Sequence, residues 1–470
     1  MPLQNESLPE GEEYGAPRAS EVYLPVALAI NLQALVRYFW NSPRKGNPVN
    51  SNQATRESSD ILIIGGGVIG ICSAYYLALQ KRQVTVIDKG EIGAGCSYGN
   101  AGLIVPSHSI PLAAPGVILK SLKWMANPES PLYIKPRIDL EFLSWMWRFQ
   151  RACREKPMRR TIPLLRDLSR ASLALHTDLA AKVGMDGSYT REGLLMVYRT
   201  REGFEGGIHE ATLLTEYGVS SDVLDAAAVR RMVPAAGSNL IGGIHYKEDA
   251  HLEPYQFVQT LAKLATQNGV KILPRTEVLG FETSRRKVST VRTTRGDFKP
   301  DQVVLASGSW SSALAKDLNL NVHIQPAKGY SVTVLKPDGW PSIPLMLSEA
   351  KVGVTPMRSM LRFAGTLELA GMDFSINQRR VAAIRRAARE FLPETAELEL
   401  IEIWRGLRPC TPDGLPIIAR SKSCENLIVA AGHGMLGVSL GPITGKLVSQ
   451  IASGQTPEIE LSALRAERFQ

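Results

Sequence analysis

Cysteine is scarce in this chain, with five among 470 residues. Cys72, Cys96, Cys153, Cys410 and Cys424 are widely spaced and odd in number. No CxxC pair and no Cys/His ligand spacing occurs, so neither a disulfide framework nor a metal site is expected, and free thiols in a reducing compartment are. Blocks of one charge are missing too. Lys+Arg 54 against Asp+Glu 45 gives a net charge of +9, spread along the chain rather than gathered into a tail, which argues for a solvated basic surface and against a nucleic-acid partner. There is no internal repeat, no low-complexity tract, no Ser-His-Asp arrangement and no pair of carboxylates demanding hydrolytic chemistry. The N-terminus lacks the positive start and small-residue cleavage site of a signal peptide.

What is present is enough apolar sequence, 44% of the chain, for a well-packed protein of two domains. Residues 1–58 are expected to lie outside the fold, because 1–20 and 41–59 are polar. Between them, segment 22–40 (VYLPVALAINLQALVRYFW) is mostly apolar. Its length suits a membrane span, but Pro25, Asn31, Gln33 and Arg37 weaken that reading, while Tyr38-Phe39-Trp40 followed by Arg44-Lys45 suits an interfacial anchor. Anchor, packed helix and plain extension all stay open.

Residues 61–88, ILIIGGGVIGICSAYYLALQKRQVTVID, carry the strongest signal. A short apolar run reads as a buried parallel strand. Gly65, Gly67 and Gly70 follow in G-x-G-x-x-G spacing, for the tight turn, for backbone approach to a pyrophosphate and for helix-on-strand packing. Val68 and Ile69 open an apolar helix whose dipole and free N–H groups face phosphate. A second strand ends in Asp88, whose carboxylate can accept from a ribose diol. Strand, glycines, helix, strand and acid together identify a dinucleotide-binding unit.

The same domain returns twice. A glycine-dense loop, 89–102, with Ser97, Asn100, Ala101 and Gly102 near its end, lets backbone run against a ligand. An apolar strand at 302–306 ends in Ser307-Gly308, a second tight turn near the cofactor. Gly432-His433-Gly434-Met435-Leu436-Gly437 precedes a helix expected from about Gly441 to Ala452, and backbone there can stabilise negative charge on a flavin pyrimidine, favouring flavin over nicotinamide. The expected organisation is α/β with an α+β second domain: a discontinuous Rossmann-like dinucleotide domain (59–106, 249–325, 401–470) alternating with an antiparallel-sheet substrate domain (107–248, 326–400). The basic stretch 378–389 alternates with apolar residues and reads as a helix with a charged face, for which an anionic membrane surface is a second reading.

Several separated motifs then converge. The fingerprint with Asp88, the loop SYGNAG (97–102), AAPGV (113–117), LKWM (122–125), LSWMW (143–147), KGYS (328–331), WRGLRPCTPDG (404–414) and GHG followed by Leu436-Gly437 resemble the flavin-dependent D-amino-acid oxidase superfamily, and within it the bacterial D-amino-acid dehydrogenase small subunits. The resemblance covers residue 61 to the C-terminus. It implies FAD as cofactor, held also near Val278 and Gly406, and oxidation of a D-amino acid to a 2-oxo acid and ammonia by hydride transfer to flavin N5. Electrons would pass to a respiratory-chain quinone or electron-transfer partner, in a cytoplasmic setting associated with the inner face of the cytoplasmic membrane.

Arg408 is the leading catalytic candidate, because a guanidinium fork can grip the substrate carboxylate so that Cα lies against the flavin. The resemblance gives the arginine of the GLRP motif this role. Arg405 competes with it. Tyr330 and His108 are further candidates for the pocket, Asp413 reads first as a turn residue, and a covalent flavin link at Cys410 competes with a small buried thiol. One departure concerns 347–356 (LSEAKVGVTP), which carries no aromatic residue where oxygen-using relatives place a tyrosine. Side-chain preference is therefore open, with D-proline or hydroxyproline among the substrates considered. A glycine/sarcosine-type amine oxidase and a flavin-carrying electron-transfer subunit are the alternative activities.

Overall fold

Residues 61–64 form the middle of a sheet because they have nothing but apolar side chains to offer on either face. The computed structural model describes residues 57–125, 129–184 and 188–469. The extension through residue 56, with the apolar segment 22–40, lies outside them. Strand β1 (Glu57–Ile64) begins ahead of the expected start at residue 59, leads into helix α1 (Val68–Leu79), and is flanked by β2 (Val84–Ile87) and β3 (Gly296–Leu305), both parallel to it. Lys271–Leu273 extends the sheet beyond β2 and Leu427–Ala431 beyond β3, again in parallel. Ile61, Leu62 and Ile63 are fully buried: Ile61 and Ile63 lie in the cluster with α1, and Leu62 lies on the opposite face against Val291, Phe298 and Leu320, so both faces of the strand are covered.

Helices Pro254–Gln267 and Gly441–Ala452 pack with α1 into one apolar cluster around Ile63, Leu77, Phe257 and Leu447. Gly445 makes that contact close, since a Cβ there would lie 2.5 Å from the Cys72 carbonyl carbon. Helix Glu155–Val183 keeps Pro163 inside it and stops at Gly184, which takes the left-handed conformation at φ 62° that glycine supplies without a Cβ penalty.

The second sheet is nine-stranded and largely antiparallel. Its site-forming part is β4 (Gln325–Leu335), between β5 (Met360–Leu369) on one side and β6 (Leu400–Cys410) on the other, with helix α2 (Gln378–Phe391) between the last two in sequence. Together the two sheets match the expected α/β class with an antiparallel second sheet. β6 pairs with β4 along nearly its whole length, so the antiparallel sheet runs on to Cys410, past the residue-400 boundary expected from sequence. Its alternation of Ile403, Arg405 and Leu407 with Trp404, Gly406 and Arg408 carries no sign of which sheet it joins.

The charged face expected of α2 is only partly solvated. Arg379, Arg385 and Arg389 are exposed, but Arg380 is buried and its Nε lies 2.7 Å from Glu368 of β5, which also sits 3.3 Å from Lys328 of β4. Lys328 reaches Asp373 at 3.1 Å as well. Two buried cations thus share one buried carboxylate, with the bonds dictating how α2 docks. Removing one member of such a network strands its partners in low dielectric. Glu368→Ala is expected to cost about 3–5 kcal/mol, read as a lowered urea midpoint, with Glu368→Gln less damaging.

Candidate functional site

Parallel α/β sheets place ligands beyond the carboxyl ends of their strands, where neighbouring connections leave in opposite directions. Here that point is the end of β1. Gly65 has φ +117°, and a Cβ on it would lie 2.4 Å from the Ala306 carbonyl oxygen at the end of β3; a Cβ on Gly70 would lie 1.8 Å from the Gly65 carbonyl oxygen. Those two glycines let α1 start against the sheet. Gly67 is different, with only Ser97 Oγ at 3.4 Å, so its open side is left for a ligand.

Asp88 closes this turn from β2: one carboxylate oxygen accepts from Gly66 N–H and the other from Gly90 N–H, both at 2.7 Å. Ser97 Oγ accepts from Val68 N–H at 3.0 Å, tying the glycine-dense loop to the start of α1, where Ile69 is buried. Asn100 Oδ1 accepts from Gly102 N–H at 2.8 Å in a side-chain turn, and Gly102 O accepts from Leu252 N–H at 2.8 Å, which leaves Ala101 half-buried between them. Ser307 donates to the Ile64 carbonyl at 3.2 Å, and Gly308, at φ +56°, has open space beside it. Val278 opens a strand just after Thr276, whose N–H donates to the Asp88 carbonyl at 2.7 Å.

Three of these separated segments meet on the end of β6. Cys96 Sγ donates to the Leu407 carbonyl at 2.7 Å, Ser309 Oγ to the same carbonyl at 2.8 Å, and Gly434 N–H to the Pro409 carbonyl at 2.8 Å. From Gly432, at φ +83°, the C-terminal loop passes through a turn in which Leu436 N–H donates to the His433 carbonyl, leaving Met435 exposed and Gly437 half-buried. The His433 imidazole points inward to Thr444 Oγ1 at 2.9 Å, and burial pushes its pKa down to about 3. It is a neutral brace for the loop, so only its backbone is available to a ligand.

Register separates the remaining candidates. Arg408 pairs with Ala327, Gly406 with Gly329, and Trp404 with Ser331, so these share one face. That face meets the glycine-dense loop: Trp404 covers Gly406 and Gly99, where added Cβ atoms would come within 2.0 and 2.1 Å of its ring. Arg362 of β5, which sequence reasoning missed, donates to the carbonyls of Tyr98 and Asn100 at 3.0 Å each and to Thr333 Oγ1 at 3.2 Å. Its only sequence signal is an arginine inside a mainly apolar strand.

Arg408 lies across Gly329 and donates to the Thr366 carbonyl at 2.8 Å. It has no carboxylate partner among the described residues, and burial lowers its pKa. The hydroxyls of Ser331 and Thr355, also on this face, are buried without a hydrogen-bond partner. A half-buried cation and two buried hydroxyls without partners lie on one side of the sheet, an arrangement suited to an anionic polar ligand.

Tyr330 points the other way. It is paired with Arg405, lies beneath α2 among Val381, Ile384 and Phe391, and its hydroxyl accepts from Asn377 N–H at 3.2 Å. The expectation that it lines the pocket is therefore corrected: one step along a strand reverses the face. Arg405 shares that far face and donates to the Phe374 carbonyl at 2.9 Å, which separates it from Arg408. Asp413 is held by Arg468 at 2.7 Å, and Cys410 is a buried thiol whose pKa is pushed up to about 12.

His108 ends a short helical turn, with Nδ1 3.0 Å from Ser107 Oγ; Ser107 in turn donates to Asp249 at 2.5 Å. Burial raises the Asp249 carboxyl to about 8 and lowers His108 to about 4. Asp249 is 142 positions from Ser107, and no local pattern announces the pairing.

Comparison with known proteins agrees with this geometry. The family model described as FAD dependent oxidoreductase (DAO) matches residues 60–451. A D-amino acid dehydrogenase of Vibrio atlanticus is 33% identical over 87% of this chain and 100% of its own, and one of Granulibacter bethesdensis is 33% identical over 87% and 99%. The glycine oxidase of Geobacillus kaustophilus shares the fold at TM-score 0.73 and 23% identity, over 87% of this chain and 99% of its own. L-proline dehydrogenase from P. horikoshii shares it at TM-score 0.68 and 20% identity, over 88% and 98%. FAD is the cofactor of this family, and the cradle fits it: closed against a Cβ at Gly65 and Gly70, open at Gly67 and Gly308, with Asp88 at the end of β2.

Gly70→Ala is expected to yield protein without bound yellow flavin, scored by visible absorbance after purification, because the methyl group and the Gly65 carbonyl oxygen cannot both be accommodated. Acid should destabilise the fold. His176 and His251 are held near 4, with His108, and His433 near 3, below the ordinary 6.5. Their stabilising contribution is complete above pH 6.5 and is lost as pH falls toward 4, while the raised Asp249 carboxyl works in the opposite sense but is outnumbered. His433→Gln should reduce the pH slope of unfolding free energy in the lower part of this window by up to about 1.4 kcal/mol per pH unit, measured by urea titrations at stepped pH.

Proposed function

The chain belongs to the family of FAD-dependent oxidoreductases, and from that premise we propose that it is a dehydrogenase of D-amino acids, releasing 2-oxo acids and ammonia and passing electrons to a respiratory acceptor. The observation that carries the reading is Arg408: a half-buried guanidinium without a carboxylate partner among the described residues, on the sheet face that meets the glycine-dense loop. A planar fork of this kind is matched by an α-carboxylate. The curated relatives named D-amino acid dehydrogenase, aligned over nearly their full length, point to the same substrate class.

In this reading Arg408 binds the carboxylate in two hydrogen bonds and, by fixing it, orients Cα and the amine toward the cradle. Arg362 holds the 98–100 backbone against the second sheet, so that the wall opposite Arg408 does not shift. Trp404, packed over Gly99 and Gly406, excludes water from that side. FAD, when bound, supplies the acceptor for the hydride leaving Cα. The imino acid then hydrolyses in water. The segment 347–356 places no aromatic ring beside the site, and with Ser331, Ala364 and Gly353 it leaves the floor of small residues on which a compact or cyclic side chain fits, keeping D-proline and hydroxyproline in the substrate panel.

Anaerobic mixing with a panel of D- and L-amino acids should bleach the flavin with D-amino acids, and the reduced protein should reoxidise faster with a quinone than with oxygen. Bleaching by glycine or sarcosine with stoichiometric peroxide under air would assign an amine oxidase instead, and a flavin that no amino acid or secondary amine bleaches would leave an electron-transfer subunit. Arg408→Ala should retain yellow flavin and lose about 2–5 kcal/mol of transition-state stabilisation, roughly a 30- to 4,000-fold fall in kcat/KM.

A further inference from the structure

Helix Leu140–Ala152 buries one stripe and displays another. Phe142, Trp145 and Phe149 turn inward with Ala113, Ala327 and Cys410, and Trp145 Nε1 donates to the Cys410 carbonyl at 3.0 Å. On the outside, Leu140 is 81% exposed, Leu143 52% and Trp147 53%, and Ile138, just before the helix, is 99% exposed. The i, i+3, i+7 spacing puts Leu140, Leu143 and Trp147 in one row. Folded monomers seldom leave that much contiguous large apolar surface in water without a use for it.

Beside the row lies a groove of about 480 Å³ between this helix and Val117–Met125, lined by Ile118, Trp147, Gln150, Cys153 and the guanidinium-bearing Arg151 and Arg154. Arg151 stacks over the Trp147 ring at 4.7 Å. Both arginines are exposed and neither has a carboxylate partner among the described residues. Leucines and a tryptophan in one exposed row, with Arg151 and Arg154 at its C-terminal end, make the composition of an interfacial helix, in which rings and leucines enter the acyl region and cations stay with phosphates. The chain's +9 charge favours the same surface.

We propose that the outer face of helix Leu140–Ala152 seats this protein on an anionic phospholipid bilayer, with Leu140, Leu143 and Trp147 inserted and Arg151 and Arg154 on lipid phosphates. The inner face of the same helix is bonded to the end of β6, two residues from Arg408, so the seat sets the end of the site strand close to the lipid. The assignment stands on the exposed row and the groove, independently of which substrate is oxidised.

The test is co-sedimentation of the full-length flavoprotein with phosphatidylglycerol/phosphatidylcholine vesicles and with phosphatidylcholine alone. The wild type should bind the anionic vesicles and lose them at high salt. Leu143→Ser/Trp147→Ser and Arg151→Gln/Arg154→Gln should each weaken binding by about tenfold or more, with unchanged flavin content and unchanged anaerobic bleaching, since none of these side chains lies in the site. Binding by both variants at wild-type strength would overturn the proposal and move the contact elsewhere on the chain. Failure of the wild type to bind, or a wild-type dimer that Leu143→Ser/Trp147→Ser converts to monomer, would overturn it as well.

Discussion

Everything functional here depends on how closely α1 approaches the ends of β1 and β3. Gly65 and Gly70 leave no room for a methyl group between helix, turn and sheet, and that closeness aims the start of α1 at the place where the central strands end. Asp88 and Ser97 spend their hydrogen bonds on backbone N–H groups of the same turn. Cys96 and Ser309, which follow from the segments attached to that turn, then fix the carbonyl of Leu407. The second sheet is thereby positioned by backbone contacts to the first.

The second sheet works as a two-sided device. Its inner face carries Arg408, Trp404, Arg362 and the small residues between them; its outer face carries Lys328, Tyr330 and Glu368 beneath α2. The ion network on the outer face lies on the side away from Arg408 and ties β4 and β5 to α2. A buried cation without an acid beside it is costly in isolation. Arg408, half-buried, has no carboxylate beside it among the described residues, whereas the fully buried Lys328 and Arg380 are both neutralised. That contrast sets Arg408 apart from the cations that dock α2.

The first βαβ unit was fully legible in the sequence, because every requirement of a tight turn against a phosphate falls within 28 consecutive residues. Helix Gly441–Ala452 was legible for a similar reason: an apolar run that follows a glycine-dense loop. Arg362 and Asp249 were not, since one binds backbone carbonyls more than 260 positions away and the other a serine 142 positions away, and neither contact requires a neighbour of any given type. Tyr330 failed differently. Its neighbours Lys328 and Gly329 form a recognisable motif, yet a motif states which residues are adjacent and is silent on which face each side chain takes.

Sequence by itself determined the cofactor class and the pairing of a parallel with an antiparallel sheet, and it offered Arg408 as a candidate, since spacing and side-chain chemistry are local properties. Only the tertiary structure decided that Arg405 and Tyr330 face away, that β6 belongs to the antiparallel sheet as far as Cys410, and that half of the helix Leu140–Ala152 looks outward. The reason is register: a period of two along a strand fixes faces only relative to a partner strand, and the partner of β6 lies some 75 residues earlier in the chain.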